Sequence, residues 1–224
     1  MGKLIVIEGV DSSGKETQTN LLYERLKEDG ENIIKLSFPD YESEFCAPVK
    51  RYLAGDLGKN PEDVNAYAAS SFYAVDRYAS FKTKWGAFYK DGGTVLCDRY
   101  VTSNVIHQAM KIKDETEKKA FMEWLSDYEY NKLGLPKPDV VIFLDMPPAC
   151  ARMLMANRKN KITGESEKDI HEQNASYLDE AYENAVGVCE HLGWRRIRCA
   201  KDGEVRKIEE IHTEIYEIIK RICK

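Results

Sequence analysis

The sequence predicts an α/β fold, a parallel sheet with helices packed on both faces. Three observations carry this expectation. Apolar runs of strand length alternate with segments of helical periodicity along the chain. Hairpin signals between those runs are few. A glycine loop ending in lysine, Gly9-Val10-Asp11-Ser12-Ser13-Gly14-Lys15, joins the first apolar run to the first helix.

The elements follow in order. Residues 3–8 form a strand that feeds the glycine loop, and a helix runs from Lys15 to about Asp29, where Gly30 stops it. Leu21, Leu22 and Leu26, with Tyr23 beside them, give that helix its apolar face. Residues 32–37 read as a second strand, closed by Phe38-Pro39, and a short helix spans 47–54. Asn60-Pro61 is a helix-start signal, and the helix it opens extends to about Asp91 before Gly92-Gly93. A buried strand covers 94–98, and helical segments cover 102–110 and 114–130. Pro136 and Pro138 break the chain before the most apolar strand, 139–145. Pro147-Pro148 opens a helix to about Arg158, and the polar, glycine-containing stretch 157–169 is the candidate mobile loop. A helix over 170–192, a last strand over 194–199 and a C-terminal helix complete the chain. That last helix carries Ile208, Ile211, Ile215, Ile218 and Ile222 as one stripe toward the sheet.

Bulk properties narrow the function. The 224 residues suit a single domain, 1–224, with its own core. A net charge of −5 argues against a nucleic-acid partner, whereas a phosphate-handling site needs only a local cluster of cations. Cys46, Cys97, Cys150, Cys189, Cys199 and Cys223 are scattered without a C-x-x-C pair, so thiols in a reducing cytoplasm are expected. The N-terminal apolar run ends after four residues at Glu8, too short for a signal peptide. No stretch reaches membrane-spanning length.

Ligands of parallel sheets sit beyond the carboxyl ends of the strands. The glycine loop there is a P-loop. Gly9 and Gly14 permit a tight turn whose N–H groups converge on one anion, and the following helix adds the positive end of its dipole. Lys15 would reach the β- and γ-phosphates of a nucleotide polyphosphate. Where Ser or Thr would place a hydroxyl on Mg²⁺ stands Glu16, followed by Thr17. Either Glu16 reaches the metal, or the metal is held by phosphates and residues elsewhere. Asp98 closes the apolar run Val95-Leu96-Cys97, either as the aspartate near the metal or as the cap of the next helix. Arg99 beside it is a natural phosphate clamp. Asp145 at the next strand end is either a helix cap or a second metal-facing acid.

These motifs resemble the thymidylate kinases. Ile7-Glu8-Gly9-Val10-Asp11 with the P-loop, Asp76-Arg77, Asp98-Arg99-Tyr100, Leu144-Asp145 with Pro148, and the Arg158 loop followed by His171-Glu172 carry the likeness, almost from end to end. The resemblance implies a P-loop kinase fold with a five-stranded parallel sheet, a short mobile lid, a homodimer, and Mg²⁺-dependent transfer of the ATP γ-phosphoryl group to dTMP. It implies that Asp11 accepts from the acceptor sugar 3′-hydroxyl and that Thr17 touches the α-phosphate. It sets Arg77 on the base and Arg99 on the acceptor phosphate. Tyr73 would stack on thymine, with Phe72 as the alternative if the register slips, while Asn104 and Gln108 contact base or sugar. Phe38 joins the acceptor pocket, and Arg158 joins Lys15 and Arg99 in catalysis.

Departures from the pattern are equally specific. The arginine expected soon after the second strand is missing, with Tyr41 near its place and Lys50 or Arg51 as substitutes. His107 replaces a bulkier aromatic beside the sugar 2′ carbon. Ser12 holds a position that some members fill with arginine, and Arg158, Lys159 and Lys161 supply cations in the lid instead. The alternatives are a kinase of another nucleotide or nucleoside, and a P-loop switch. The switch lacks its guanine-reading Asn-Lys-x-Asp run, since Asn160-Lys161-Ile162-Thr163 has no aspartate.

Overall fold

The computed structural model describes residues 1–156 and 176–223. The expected lid over 157–169, its cations Arg158, Lys159 and Lys161, and His171-Glu172 lie outside the described residues. Five strands form one sheet: β1 (Lys3–Glu8), β2 (Ile33–Ser37), β3 (Thr94–Asp98), β4 (Val140–Asp145) and β5 (Arg195–Arg198). Their spatial order is β2-β3-β1-β4-β5 and every pairing is parallel. Ile5 lies opposite both Leu96 and Val140, so β1 occupies the centre of the sheet. β3 and β4 are buried on both faces, which explains why they read as unbroken apolar runs.

Helices cover both faces. On one, α1 (Lys15–Glu28) and the C-terminal helix pack Leu22, Leu26, Ile211, Ile215 and Ile219 against Ile5, Ile7 and Ile142. Leu21 of the expected α1 stripe is instead exposed. The C-terminal stripe also rotates slightly: Ile208 is exposed, Ile218 and Ile222 are half-buried, and Ile219 and Tyr216 lie in the core. Tyr216 stacks under the Arg25 guanidinium, 3.5 Å away, and donates to Asp29 Oδ2. On the other face, Trp85, Phe121, Leu125 and Tyr100 pack against Val6, Val95 and Val141. Cys46, Cys97, Cys150, Cys189 and Cys199 are buried free thiols.

The long helix expected from Pro61 is divided. Pro61–Asp63 forms only a 3₁₀ turn, in which Asp63 accepts from the Asn60 N–H. Asn65 is the N-cap, its side chain accepting from the Ala68 N–H, and α3 runs Ala66–Ser80. A π turn at Phe81–Trp85 then leads into Gly86–Lys90. Gly86 is required there, because a Cβ would sit 2.4 Å from the Phe81 carbonyl oxygen. A second π turn, Asp127–Lys132, follows Glu115–Ser126, which Asp114 caps by accepting from the Glu117 N–H. After β5 comes a small antiparallel hairpin, Ala200–Lys201 with Glu204–Val205, that the sequence did not announce.

Candidate active site

β1 ends at Glu8, and the chain turns through the P-loop into α1. Gly14 (φ 88°) and Ser12 (φ 58°) both occupy the left-handed region, which costs glycine nothing and strains serine. A Cβ on Gly9 would lie 2.5 Å from Ser13 Oγ, so this loop is packed too tightly for a side chain there. No side chain caps α1, whose positive end faces the loop. Lys15 is buried and folds back to donate to the Val10 carbonyl at 2.7 Å. Burial, with the Arg99 charge adding to it, pushes the Lys15 pKa down to about 7. A polyphosphate in the loop would restore the charge. The Ser12 and Ser13 hydroxyls are buried without a hydrogen-bond partner, and Glu16 and Thr17 are exposed on the first turn of α1.

Glu8 joins the two halves of the site, a role the sequence did not reveal. Its buried carboxylate accepts from the Tyr100 N–H, the Thr102 hydroxyl at 2.6 Å and the Ser103 hydroxyl at 2.8 Å. It thereby anchors the turn after β3 to the strand before the P-loop. Burial raises its pKa, against the opposing pull of Arg99 and the two hydroxyls. The available signal was a carboxylate closing an apolar strand, together with two hydroxyls after Asp98-Arg99-Tyr100.

At the end of β3, Asp98 is buried and its Oδ1 has no hydrogen-bond partner. It does not cap the next helix, α5 (Thr102–His107), whose N-cap is Val101. Asp98 therefore fits a Mg²⁺ and its waters, a role for which such an acid needs only phosphates to complete the shell. Among the described residues no three acids, histidines or cysteines cluster as a metal cage. Asp145 is committed elsewhere. It accepts from Tyr182 Oη at 2.8 Å and Arg196 Nε at 2.9 Å, and the helix after it, α7 (Pro148–Met155), is preceded by Pro147 with no side-chain cap. The expected cap is therefore not made, and both carboxylate oxygens are engaged by protein donors.

Arg99 has a left-handed backbone (φ 66°), a strained conformation that aims its side chain across the P-loop. Nη2 donates to Asp11 Oδ1, and Nη1 donates to His107 Nε2 at 2.8 Å. Burial works against its charge, but Asp11, Glu8 and Asp98 outweigh burial and hold it firmly protonated. Tyr41 lies close enough to act on it electrostatically, whereas Arg51 is exposed and paired with Asp56.

Arg77, Asn104 and Gln108 are all buried, and the first two meet at one carboxylate. Arg77 is held by Glu129 through two hydrogen bonds, and Asn104 Nδ2 lies 3.4 Å from the same carboxylate. Gln108 Oε1 is buried without a partner. Tyr73 and Phe72 are half-buried beside Tyr52, with Tyr73 in edge-to-face contact at 6.4 Å. Phe38 is buried in the core against Tyr100. Glu129, like Glu8, is a residue whose part here sequence reasoning missed.

A sequence model of the thymidylate kinase family matches residues 7–191. Thymidylate kinase from Mycobacterium tuberculosis is 31% identical over 77% of this chain and 78% of its own length. The Plasmodium falciparum thymidylate kinase is 29% identical over 99% and 91%. Among solved structures, the thymidylate kinase from Candida albicans superposes with a TM-score of 0.70 at 21% identity, covering 98% of this chain and 92% of that one. The P-loop beside the Asp98-Arg99 turn and the extent of these matches have one meaning: the chain belongs to the thymidylate kinase family.

Proposed function

We infer that this chain carries out its family's reaction at the residues gathered beyond β1 and β3. That reaction moves the γ-phosphoryl group of ATP to dTMP, giving dTDP. One observation supports the assignment of residues above the rest: Lys15, Asp98, Arg99 and Asp11 meet at two adjacent parallel strand ends. There, buried polar atoms of Ser12, Ser13 and Asp98 have no protein partner.

Lys15 leaves the Val10 carbonyl for the transferring phosphate and offsets charge as it shifts between oxygens. Gly9 to Thr17 cradle the donor phosphates, and Asp98, with Glu16 on the α1 first turn, would hold Mg²⁺ through its waters. Held there, the metal would supply charge neutralisation for the donor phosphates. Arg99 orients the acceptor phosphate, with Asp11 fixing it from the opposite side and available to the sugar 3′-hydroxyl. Tyr73, Arg77, Asn104, His107, Gln108 and Phe38 form or support the acceptor pocket, and Arg158 acts from the lid.

The α3 residues Tyr67, Val75 and Tyr78 lie exposed on one helical face and support a homodimer, checked by sedimentation equilibrium. The scattered, buried thiols support a cytoplasmic location, checked by fractionation of the source cell.

A coupled ADP-release assay over a nucleotide panel tests the function. A pocket for a 5-methyl group gains about 1–3 kcal/mol from it, so kcat/KM falls in the order dTMP, dUMP, UMP. His107→Tyr sharpens rejection of UMP, and dCMP and dAMP stay near background. A chain that prefers dCMP or a purine monophosphate is a kinase of another acceptor.

A further inference from the structure

We propose that Tyr177 is a positioning residue for the acceptor arginine, acting through the tautomer of His107. The argument begins with proton inventory. A guanidinium has only donors, so the 2.8 Å contact from Arg99 Nη1 requires His107 Nε2 to carry a lone pair. A neutral imidazole with a bare Nε2 has its proton on Nδ1. Nδ1 lies 3.2 Å from Tyr177 Oη, which must therefore accept. The two rings lie in nearly parallel planes, 8° apart with centroids at 6.0 Å, an offset stack that holds the phenol oxygen beside the imidazole.

The result is a directed relay, His107 Nδ1–H to Tyr177 Oη and Arg99 Nη1–H to His107 Nε2. Its far end is the Arg99 pairing with Asp11 in the P-loop. Tyr177 is the first residue of α8 (Tyr177–His191), is buried, and packs with Leu178 and Ala181 in the core. His107 is the last residue of α5, and α8 lies against it, with Asn184 Nδ2 donating to the Val105 and Ile106 carbonyls at 2.8 and 2.7 Å. The imidazole is thus fixed by two rigid helices rather than by a loop. Without the phenol oxygen, the buried Nδ1–H loses an acceptor, and the ring gains reason to rotate away from Arg99.

This inference rests on the reading of Arg99 as the acceptor-phosphate ligand, but part of its test does not. Nitrogen-15 NMR of the full chain without nucleotide reports the imidazole tautomer directly, the His107 signals being assigned by their loss in His107→Phe. The expected spectrum shows His107 neutral with the proton on Nδ1. A spectrum with the proton on Nε2 overturns the proposal whatever the enzyme phosphorylates. In steady-state kinetics, Tyr177→Phe raises the KM for dTMP roughly five- to tenfold, the size of one lost hydrogen bond to a buried group, and leaves the KM for ATP unchanged. In the His107→Phe background the same substitution has no further effect, since its route is gone. Additive effects, or an equal rise in both KM values, would mean that Tyr177 only supports the fold. Tyr177→Gln, which returns an acceptor, recovers part of the loss. Wild-type chain with the expected tautomer but no dTMP turnover would indict the acceptor assignment, not the relay.

Discussion

The Arg77 guanidinium and the Glu129 carboxylate meet in parallel, Nε to Oε2 at 2.7 Å and Nη2 to Oε1 at 2.6 Å, with both side chains shut off from solvent. Burial disfavours the Arg77 charge, but Glu129 more than compensates and raises its pKa. Removing one partner strands a buried charge, at a typical cost of about 3–5 kcal/mol. Glu129→Ala is therefore expected to lower the urea-unfolding free energy by that amount. The apolar pair Arg77→Met with Glu129→Leu should recover most of it while losing dTMP selectivity. A loss below about 1 kcal/mol for Glu129→Ala would show the pair to be loosely held.

Lys15→Ala should nearly abolish turnover with the fold intact by circular dichroism. Loss of one donor aimed at shifting charge costs about 3–4 kcal/mol in the transition state. Retention of more than a tenth of wild-type kcat would remove Lys15 from the chemistry.

The same lysine sets a proton linkage. Its folded pKa of about 7 lies below the ordinary 10.5, so between those values the unfolded chain binds the proton and the folded one releases it. This group's contribution to stability therefore rises with pH across that window. Bound phosphate reverses the preference. At pH 8 ATP binding should take up close to one proton, and at pH 6 almost none from Lys15. Calorimetry in buffers of different ionisation enthalpy measures this, and Lys15→Met should erase the uptake.

Glu16→Gln should raise the Mg²⁺ concentration needed for half-maximal rate, and Glu16→Ser should remain active. An unchanged Mg²⁺ titration for both variants would leave Glu16 only its favourable place at the positive end of α1.

Neutralising Arg158, Lys159 and Lys161 together should lower kcat far more than it raises the KM for dTMP, because these cations would act on the transferring group. A rise in KM at constant kcat would make them an electrostatic funnel instead.

What the sequence disclosed was local chemistry. Gly9, Gly14 and Lys15 announce a phosphate loop because backbone geometry and one charge suffice, and the runs ending at Glu8 and Asp98 announce buried parallel strands. Pairings between distant segments were hidden. Nothing near Glu129 indicates that a π turn will carry it onto Arg77, 52 residues away. Tyr177 and His107 are likewise 70 residues apart; His107 was legible as a pocket residue, but Tyr177 read alone is an ordinary core aromatic. Competing caps misled in a different way. Asn60-Pro61 has the stronger start signal, yet Asn65 caps α3, since Val64 stays extended between them. Asp145 looked like a cap because Pro147-Pro148 follows, but Tyr182 and Arg196 claim it from α8 and β5.

The buried thiols give this chain an internal gauge of its own motions. Alkylating reagents attack the thiolate, and burial pushes Cys46 and Cys199 up to about 12 and Cys189 up to about 11, with Cys97 higher still. Each must therefore be uncovered before it reacts, and its labelling rate reads the opening of the element that carries it. Cys97 lies in β3, between β1 and β2, and registers loss of the whole sheet; Cys46 and Cys189 sit in smaller clusters and register partial openings. Site-resolved alkylation with and without nucleotide would then map which parts of the molecule the ligand stiffens, with no probe added to the chain.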